Sequence, residues 1–145
     1  MGFIEIPYDT PIYAAALELR HNILRRPLGL DLYAEDLTLE QHEWHYGFEE
    51  QGQLVATVTL RPDKPGRVLL RQMAVAGDCQ GRGLGRRLIE LVEQSVRERG
   101  IGEIHLHARC EAEGFYQRLG YKRVGEEFLQ VGIWHVEMNK RLDRG

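Results

Sequence analysis

Cysteine is scarce in this sequence: Cys79 and Cys110 are its only two, and their spacing matches neither a CxxC redox pair nor a zinc knuckle. A reduced, cytoplasmic chain is therefore expected. Long apolar runs are missing as well. The opening MGFIEIPYDTP is acidic within its first ten residues, and no later stretch reaches the length that spans a bilayer. Neither signal peptide nor membrane anchor is expected. Charge of one sign is also lacking, with 19 basic against 22 acidic side chains and a net charge of −3. That balance gives no global attraction to nucleic acid or to an anionic membrane, so any anion site must be local. Metal-ligand spacing is absent too: His105-x-His107 and His42-x-x-His45 belong to separate elements with no cysteine or carboxylate at fixed spacing beside them, so no metal is expected.

What is present suffices for one core. A chain of 145 residues, 43% of them hydrophobic, supports a single domain over residues 1–145. PIYAAALELRHNIL places Ile12, Ala15, Ala16, Leu19 and Ile23 near helical spacing behind Pro11, a favourable residue for a first helical turn. RRPLGLDLYAEDLTLEQHE breaks at Pro27 and Gly29 and has no clean period, so it reads as a loop with one short helix at most. WHYGF and LVATVTL alternate around EEQGQ, which predicts a hairpin, and RPDKPG reads as a second turn. RVLLRQMAV is apolar enough for a sheet centre. Leu84, Leu88, Leu91, Val92 and Val96 then share a helix face, and Gly100 ends that helix. EIHLHA reads as a strand, EAEGFYQRL as a short helix, and YKRVGEEF and VGIWHVEMNK as two closing strands. Strand, helix and strand over 68–75, 84–99 and 104–108 make one crossover, so those two strands are expected to be parallel inside a mixed sheet.

QMAVAGDCQGRGLGRRL joins the first of these strands to its helix. A helix N-terminus presents unpaired N–H groups and about half a positive charge, so it suits a phosphate where nothing bulky blocks the approach. Gly81, Gly83 and Gly85 carry no such bulk, while Arg82, Arg86 and Arg87 add charge. A tight strand-to-helix turn alone is the plainer reading of the glycines. Two phosphate motifs are excluded. A Walker loop needs Gly-Lys followed by Ser or Thr, where Gly85 is followed by two arginines. A dinucleotide fingerprint needs a further glycine at 86 or 88, and an acid at the end of the next strand where Arg109 stands.

Gln80-Gly81-Arg82-Gly83-Leu84-Gly85 fits the pattern Q/R-x-x-G-x-G/A. With LLRQMAV before it and GFYQRLGY about thirty residues after it, the chain resembles the GNAT superfamily of N-acetyltransferases, and the ending GEEFLQVGIWHVEM resembles its ElaA-like branch. The resemblance implies an α/β fold: a mixed central sheet flanked by helices, with two central parallel strands splayed apart to admit acetyl-CoA as co-substrate. On that likeness Met73, Ala74 and Val75 line the pantetheine, and the amides of Gln80, Gly81, Arg82, Gly83, Leu84, Gly85 and Arg86 hold the pyrophosphate. Arg109 stands where relatives often have Asn, and is expected to reach either CoA or the acceptor.

The implied reaction carries acetyl from the thioester to a primary amine of a small molecule or peptide, by direct attack in a ternary complex. The amine must lose a proton, the oxyanion needs a donor, and the departing thiolate needs a proton or a hydrogen bond. Backbone N–H around Met73 to Val75 is the implied oxyanion donor. Tyr116 matches the tyrosine that serves the sulfur in many relatives, with simple packing beside Phe115 as its other reading. His135 is the leading candidate base, ahead of His105, His107, Glu126 and Glu127, each of which is also at home in a structural hydrogen bond. Cys110 reads as a small half-buried side chain rather than an acetyl carrier. Acidic residues at 31, 35, 36 and 40 favour a cationic acceptor or are simply solvated. The alternative function is a CoA-binding sensor or interaction module without catalysis, and an exposed C-terminal strand edge would suit a homodimer.

Overall fold

A computed structural model describes residues 2–142. The described residues form β1 (Gly2–Ile6), α1 (Pro11–Arg20), β2 (Trp44–Glu50), β3 (Gln53–Lys64), β4 (Arg67–Val75), α2 (Leu84–Glu98), β5 (Glu103–Arg109), α3 (Glu113–Arg118), β6 (Lys122–Gln130) and β7 (Ile133–Arg141). Their seven strands lie in one sheet in the order β1-β2-β3-β4-β5-β7-β6. Neighbours are antiparallel except β4 and β5, which run parallel across the α2 crossover. β6 forms the C-terminal edge. Among the described residues, no helix is long and apolar enough to cross a membrane.

Each sheet face has its own character. Tyr46, Val58, Leu60, Val68, Leu70, Ile104, Leu106, Val136 and Met138 build the core with Leu84, Leu88, Ile89, Val92 and Val96 of α2. Those α2 positions recur at helical spacing, so one stripe is buried while the arginines and glutamates between them stay largely outside. The opposite face carries polar side chains, among them His45, Thr59, Arg71, His105 and His107, because successive residues of a strand point to opposite sides. α1 covers one end of that face. Its Tyr13 and Ala16 pack with Ile6, and its Arg20 is almost fully buried.

Two departures from the sequence reading are physical in origin. β1 has no strong alternation of its own, and it owes its extended form to pairing with β2 from Gly2↔Glu49 to Ile6↔His45. RPDKPG is a turn only at Pro65-Gly66, since Arg61, Pro62 and Lys64 pair with Leu69, Val68 and Arg67. Pro62 is tolerated there because the register shifts beside it.

Residues 21–42 hold no long element. A π-helical turn (His21–Arg25) and three 3₁₀ turns (Arg26–Leu28, Leu32–Ala34, Thr38–His42) follow one another. Leu32 is fully buried beneath them, and the His21 Nδ1 accepts from the Leu32 N–H at 3.3 Å.

Candidate active site

The parallel pairing of β4 with β5 runs only from Arg67↔Glu103 to Leu70↔Leu106, yet both strands continue, to Val75 and to Arg109. Their facing edges therefore part beyond Leu70. The cause lies in β4 itself. Thr59 pairs with Arg71 and Thr57 with Ala74, so β4 carries one extra residue, and Gln72 in that bulge has φ +59°. A bulge bends its strand and leaves ladder groups unpaired. Glutamine has no intrinsic liking for this left-handed backbone. Its side-chain Oε1 accepts from Arg25 Nη2 at 3.2 Å, which ties the bulge to the segment after α1.

The glycine turn follows directly. Gln80 Nε2 donates to the Val75 carbonyl at 3.0 Å and holds the turn against the end of β4. Gly81 and Gly83 have φ +82° and +76°, a region in which a Cβ is strained, and Gly83 caps α2. Gly85 differs. It is helical, and an added Cβ would meet Met73, Phe115 and Val75 side-chain atoms only at ordinary distances of 3.5 to 3.9 Å. Neither backbone nor packing requires glycine there, in keeping with a motif position that takes either Gly or Ala. The N–H groups of Leu84, Gly85 and Arg86 occupy the first turn of α2, where the helix offers no acceptors and no side chain caps it. Such a cradle fits a pyrophosphate. Arg82 is turned to Glu50, at 2.7 Å, and Arg86 to Glu90, at 3.3 Å, so the charge they lend is shared with carboxylates.

A cleft of about 680 Å³ opens on the polar face where β4 and β5 part. Leu70, Met73, Leu106, Ala108 and Tyr116 line it, with Arg109 and His135 from adjacent strands and Arg25, Leu28, Leu30 and Glu35 from the 21–42 segment. Tyr116 is 8% exposed and packs edge-on against Phe115 and Tyr121. Burial pushes its phenol up to about 12. Its ring thus packs as the plainer reading has it, while its hydroxyl stays protonated at neutral pH. Arg109 pairs in register with His135 across β5 and β7. The His135 Nδ1 lies 2.7 Å from the Ile133 carbonyl, an acceptor, so Nδ1 must donate and Nε2 carries the lone pair of the neutral ring. His107 also lines the cleft, and burial holds its pKa below the ordinary histidine value despite Glu137 nearby. Phe128 contacts both imidazoles, with ring centroids 5.3 Å from His107 and 5.9 Å from His135.

The remaining candidates lie elsewhere or are engaged. His105 Nε2 lies 2.6 Å from Asp63 Oδ2, a structural contact. Glu126 and Glu127 are exposed on β6, with Glu127 3.5 Å from Arg123. Burial raises the Cys110 thiol above its ordinary value, which disfavours a thiolate carrier. Three acids of the 21–42 segment are exposed and make local contacts: Asp31 accepts from the Tyr33 N–H, Asp36 from Thr38, and Glu35 pairs with Arg25 at 2.6 Å.

Glu40 anchors this segment. It accepts two hydrogen bonds from Arg20, at 2.8 and 2.7 Å, and one from the Tyr13 hydroxyl at 2.7 Å. Burial alone would raise its pKa, but the Arg20 hydrogen bonds and charge outweigh burial and hold it below the usual value. Beside it Glu43, also buried, is shared by Arg61 and Arg71. Glu40, Glu43 and His45 converge within 4.8 Å, a spacing that a cation can bridge. The donor set does not fit one, because both carboxylates already face arginines and His45 spends its nitrogens on Thr59 and the Glu40 carbonyl. Sequence reasoning missed Gln72, Arg25, Arg61, Arg71 and the buried pairs. Their partners lie 10 to 47 residues away in the chain, and no local pattern announces them.

Comparison with known proteins agrees with this geometry. The family model described as acetyltransferase (GNAT) domain matches residues 24–142. The uncharacterised N-acetyltransferase YitI of Bacillus subtilis is 30% identical over 134 residues, covering 86% of this chain and 89% of its own. YyaT of the same organism is 40% identical over 62 residues, and the chain spans only 42% of that relative's length. Among solved structures, an aminoglycoside 6′-N-acetyltransferase complexed with coenzyme A superposes with a TM-score of 0.83 at 19% identity, covering 100% and 99% of the two chains. Escherichia coli ElaA superposes at 0.78 and 17% identity over 97% and 99%, a likeness of fold that does not single out its branch. With a family model spanning residues 24–142 and the parted β4–β5 pair in place, the chain belongs to the GNAT acetyltransferase family.

Proposed function

We propose that this chain transfers an acetyl group from acetyl-CoA to a primary amine within the cleft, by direct attack in a ternary complex. The observation that carries the reading is the parting of β4 from β5 above a cleft that joins Met73, Tyr116 and His135. Acetyl-CoA, when bound, supplies the acetyl group as a thioester. Met73, Ala74 and Val75 then pair with its amides as a strand would, and the N–H groups from Gln80 to Arg86 receive its pyrophosphate. Backbone N–H of the β4 bulge donates to the oxyanion.

The amine nitrogen adds to the carbonyl carbon and the oxyanion so formed collapses as the carbon–sulfur bond breaks, with one proton leaving nitrogen and one arriving at sulfur from water. His135 Nε2 accepts the first. Tyr116 serves the second end as a hydrogen-bond donor to the departing sulfur. A phenol near 12 gives its proton uphill to a thiolate whose acid lies near ~8.5, so donating the hydrogen bond matches it better than full proton transfer. The aminoglycoside named for one fold neighbour is a polycation and suits an arginine-lined cleft poorly. The test is release of free thiol from acetyl-CoA on adding primary amines. Thiol released in step with acetylated amine supports transfer, whereas acetyl-CoA binding without thiol from any amine identifies a CoA sensor.

A further inference from the structure

The polar cleft is lined by four arginines, Arg25, Arg61, Arg71 and Arg109, against one acid, Glu35, among the described residues. Their pairing decides what that excess means. Arg25 is neutralised by Glu35, with contacts of 2.6 and 3.2 Å. Arg61 and Arg71 share the single carboxylate of Glu43, whose side chain is 2% exposed while theirs are 37% and 26% exposed. Arg109 makes no hydrogen bond or ion pair among the described residues. The wall thus keeps two positive charges unneutralised, on Arg109 and on the Arg61–Arg71 pair, and both reach the space where β4 and β5 part. These arginines come from β3, β4 and β5, separate from the glycine turn where the pyrophosphate would lie.

Resting on the acetyl-transfer reading above, we infer that the acceptor is a primary amine that also bears an anionic group, a carboxylate or a phosphate, held by Arg71 and Arg109. A guanidinium offers paired donors in a plane that match either anion, and partial burial strengthens the contact. Leu28, Leu30, Val131 and Ile133 add an aliphatic rim suited to a short carbon chain between amine and anion. Polyamines meet the wrong sign of charge here.

The experiment offers matched amines to the protein with acetyl-CoA: propylamine against β-alanine, ethanolamine against phosphoethanolamine, and spermidine. Free thiol reports transfer, and calorimetry on CoA-loaded protein reports binding. One anionic amine of either pair is expected to exceed its neutral partner in kcat/KM by about tenfold to a hundredfold, the worth of one charge-assisted hydrogen bond. Which pair shows the larger preference separates carboxylate from phosphate. Arg109→Gln is expected to reduce that preference about tenfold through KM for the amine, and Arg71→Gln, in which Glu43 keeps Arg61, checks the second contact. Equal or better use of neutral amines or spermidine overturns the inference while leaving acetyl transfer standing. An Arg109→Gln effect on the acetyl-CoA KM alone overturns it as well. Should no amine release thiol, the acetyl-transfer reading fails, and calorimetry still decides: anionic amines bound through Arg109 support the inference, and no binding overturns it.

Discussion

The proposed site has a donor side and an acceptor side, built from different materials. The donor wall is backbone: a bulged strand, a turn with left-handed glycines, and the N–H groups of a helix end. The acceptor wall is side-chain pairing: Arg20 with Glu40, Arg61 and Arg71 with Glu43, Arg25 with Glu35 and Gln72. A backbone site takes a group that every member of a family shares, since amides contact any pyrophosphate alike. A wall of paired side chains changes its charge and shape with single substitutions, which suits it to acceptor choice in the proposed reaction.

The sharpest way to break this contrast is at Glu40. Replacing it with Ala strands a nearly fully buried Arg20, and a loss of about 3–5 kcal/mol of stability is expected in denaturant unfolding. A loss below about 1 kcal/mol would mean that the acceptor wall does not rest on this pair. Next in size, Tyr116→Phe is expected to lower kcat about tenfold to a hundredfold, the worth of a hydrogen bond to a charged sulfur. Stability and acetyl-CoA affinity should hold, because the hydroxyl has no hydrogen-bond partner among the described residues to lose. Unchanged turnover with every responsive amine assigns Tyr116 to packing alone.

Gly85→Ala sharpens the donor side. Alanine in place of a helical glycine is expected to stabilise by about 0.5–1 kcal/mol, and its Cβ meets only ordinary contacts within the protein. Acetyl-CoA affinity should hold within about threefold in titration, since the motif takes either Gly or Ala at this position, and a larger loss would mean that the methyl group blocks the approach to the amides. Gly83→Ala separates the roles, because its left-handed backbone costs about 1–2 kcal/mol in folding. The smallest expected effect is in pH. Glu40 is held below its ordinary value when folded, so its contribution is present above the unfolded carboxylate value near ~4.3 and is lost as pH falls through the folded one. Unfolding midpoints measured from pH 7 downward should show part of the acid loss disappear in Glu40→Gln.

This division of materials also explains what the sequence alone discloses. QGRGLG and the α2 stripe are local patterns, and the strand-to-helix turn, the crossover and the parallel strand pair are legible from them. Tyr116 and His135 likewise emerge from short motifs and come to one cleft. The bulge at Gln72 escapes, because glutamine does not advertise a left-handed backbone. Of the acids at 31, 35, 36 and 40, only Glu40 turns inward to a buried arginine, while the other three stay exposed as the solvated reading has it. Arg61 and Arg71 carry no signal in the sequence, because the Glu43 that they share lies 18 and 28 residues away.

The central claim is that the donor wall delivers acetyl to an amine held on the acceptor wall. Its most direct measurement follows free thiol and acetylated amine together, in the wild-type chain and in Tyr116→Phe, over the amine panel with acetyl-CoA saturating. One thiol for each acetylated amine is expected, with a slower rate in the variant at unchanged acetyl-CoA affinity. Saturable acetyl-CoA binding with no thiol from any amine would contradict it.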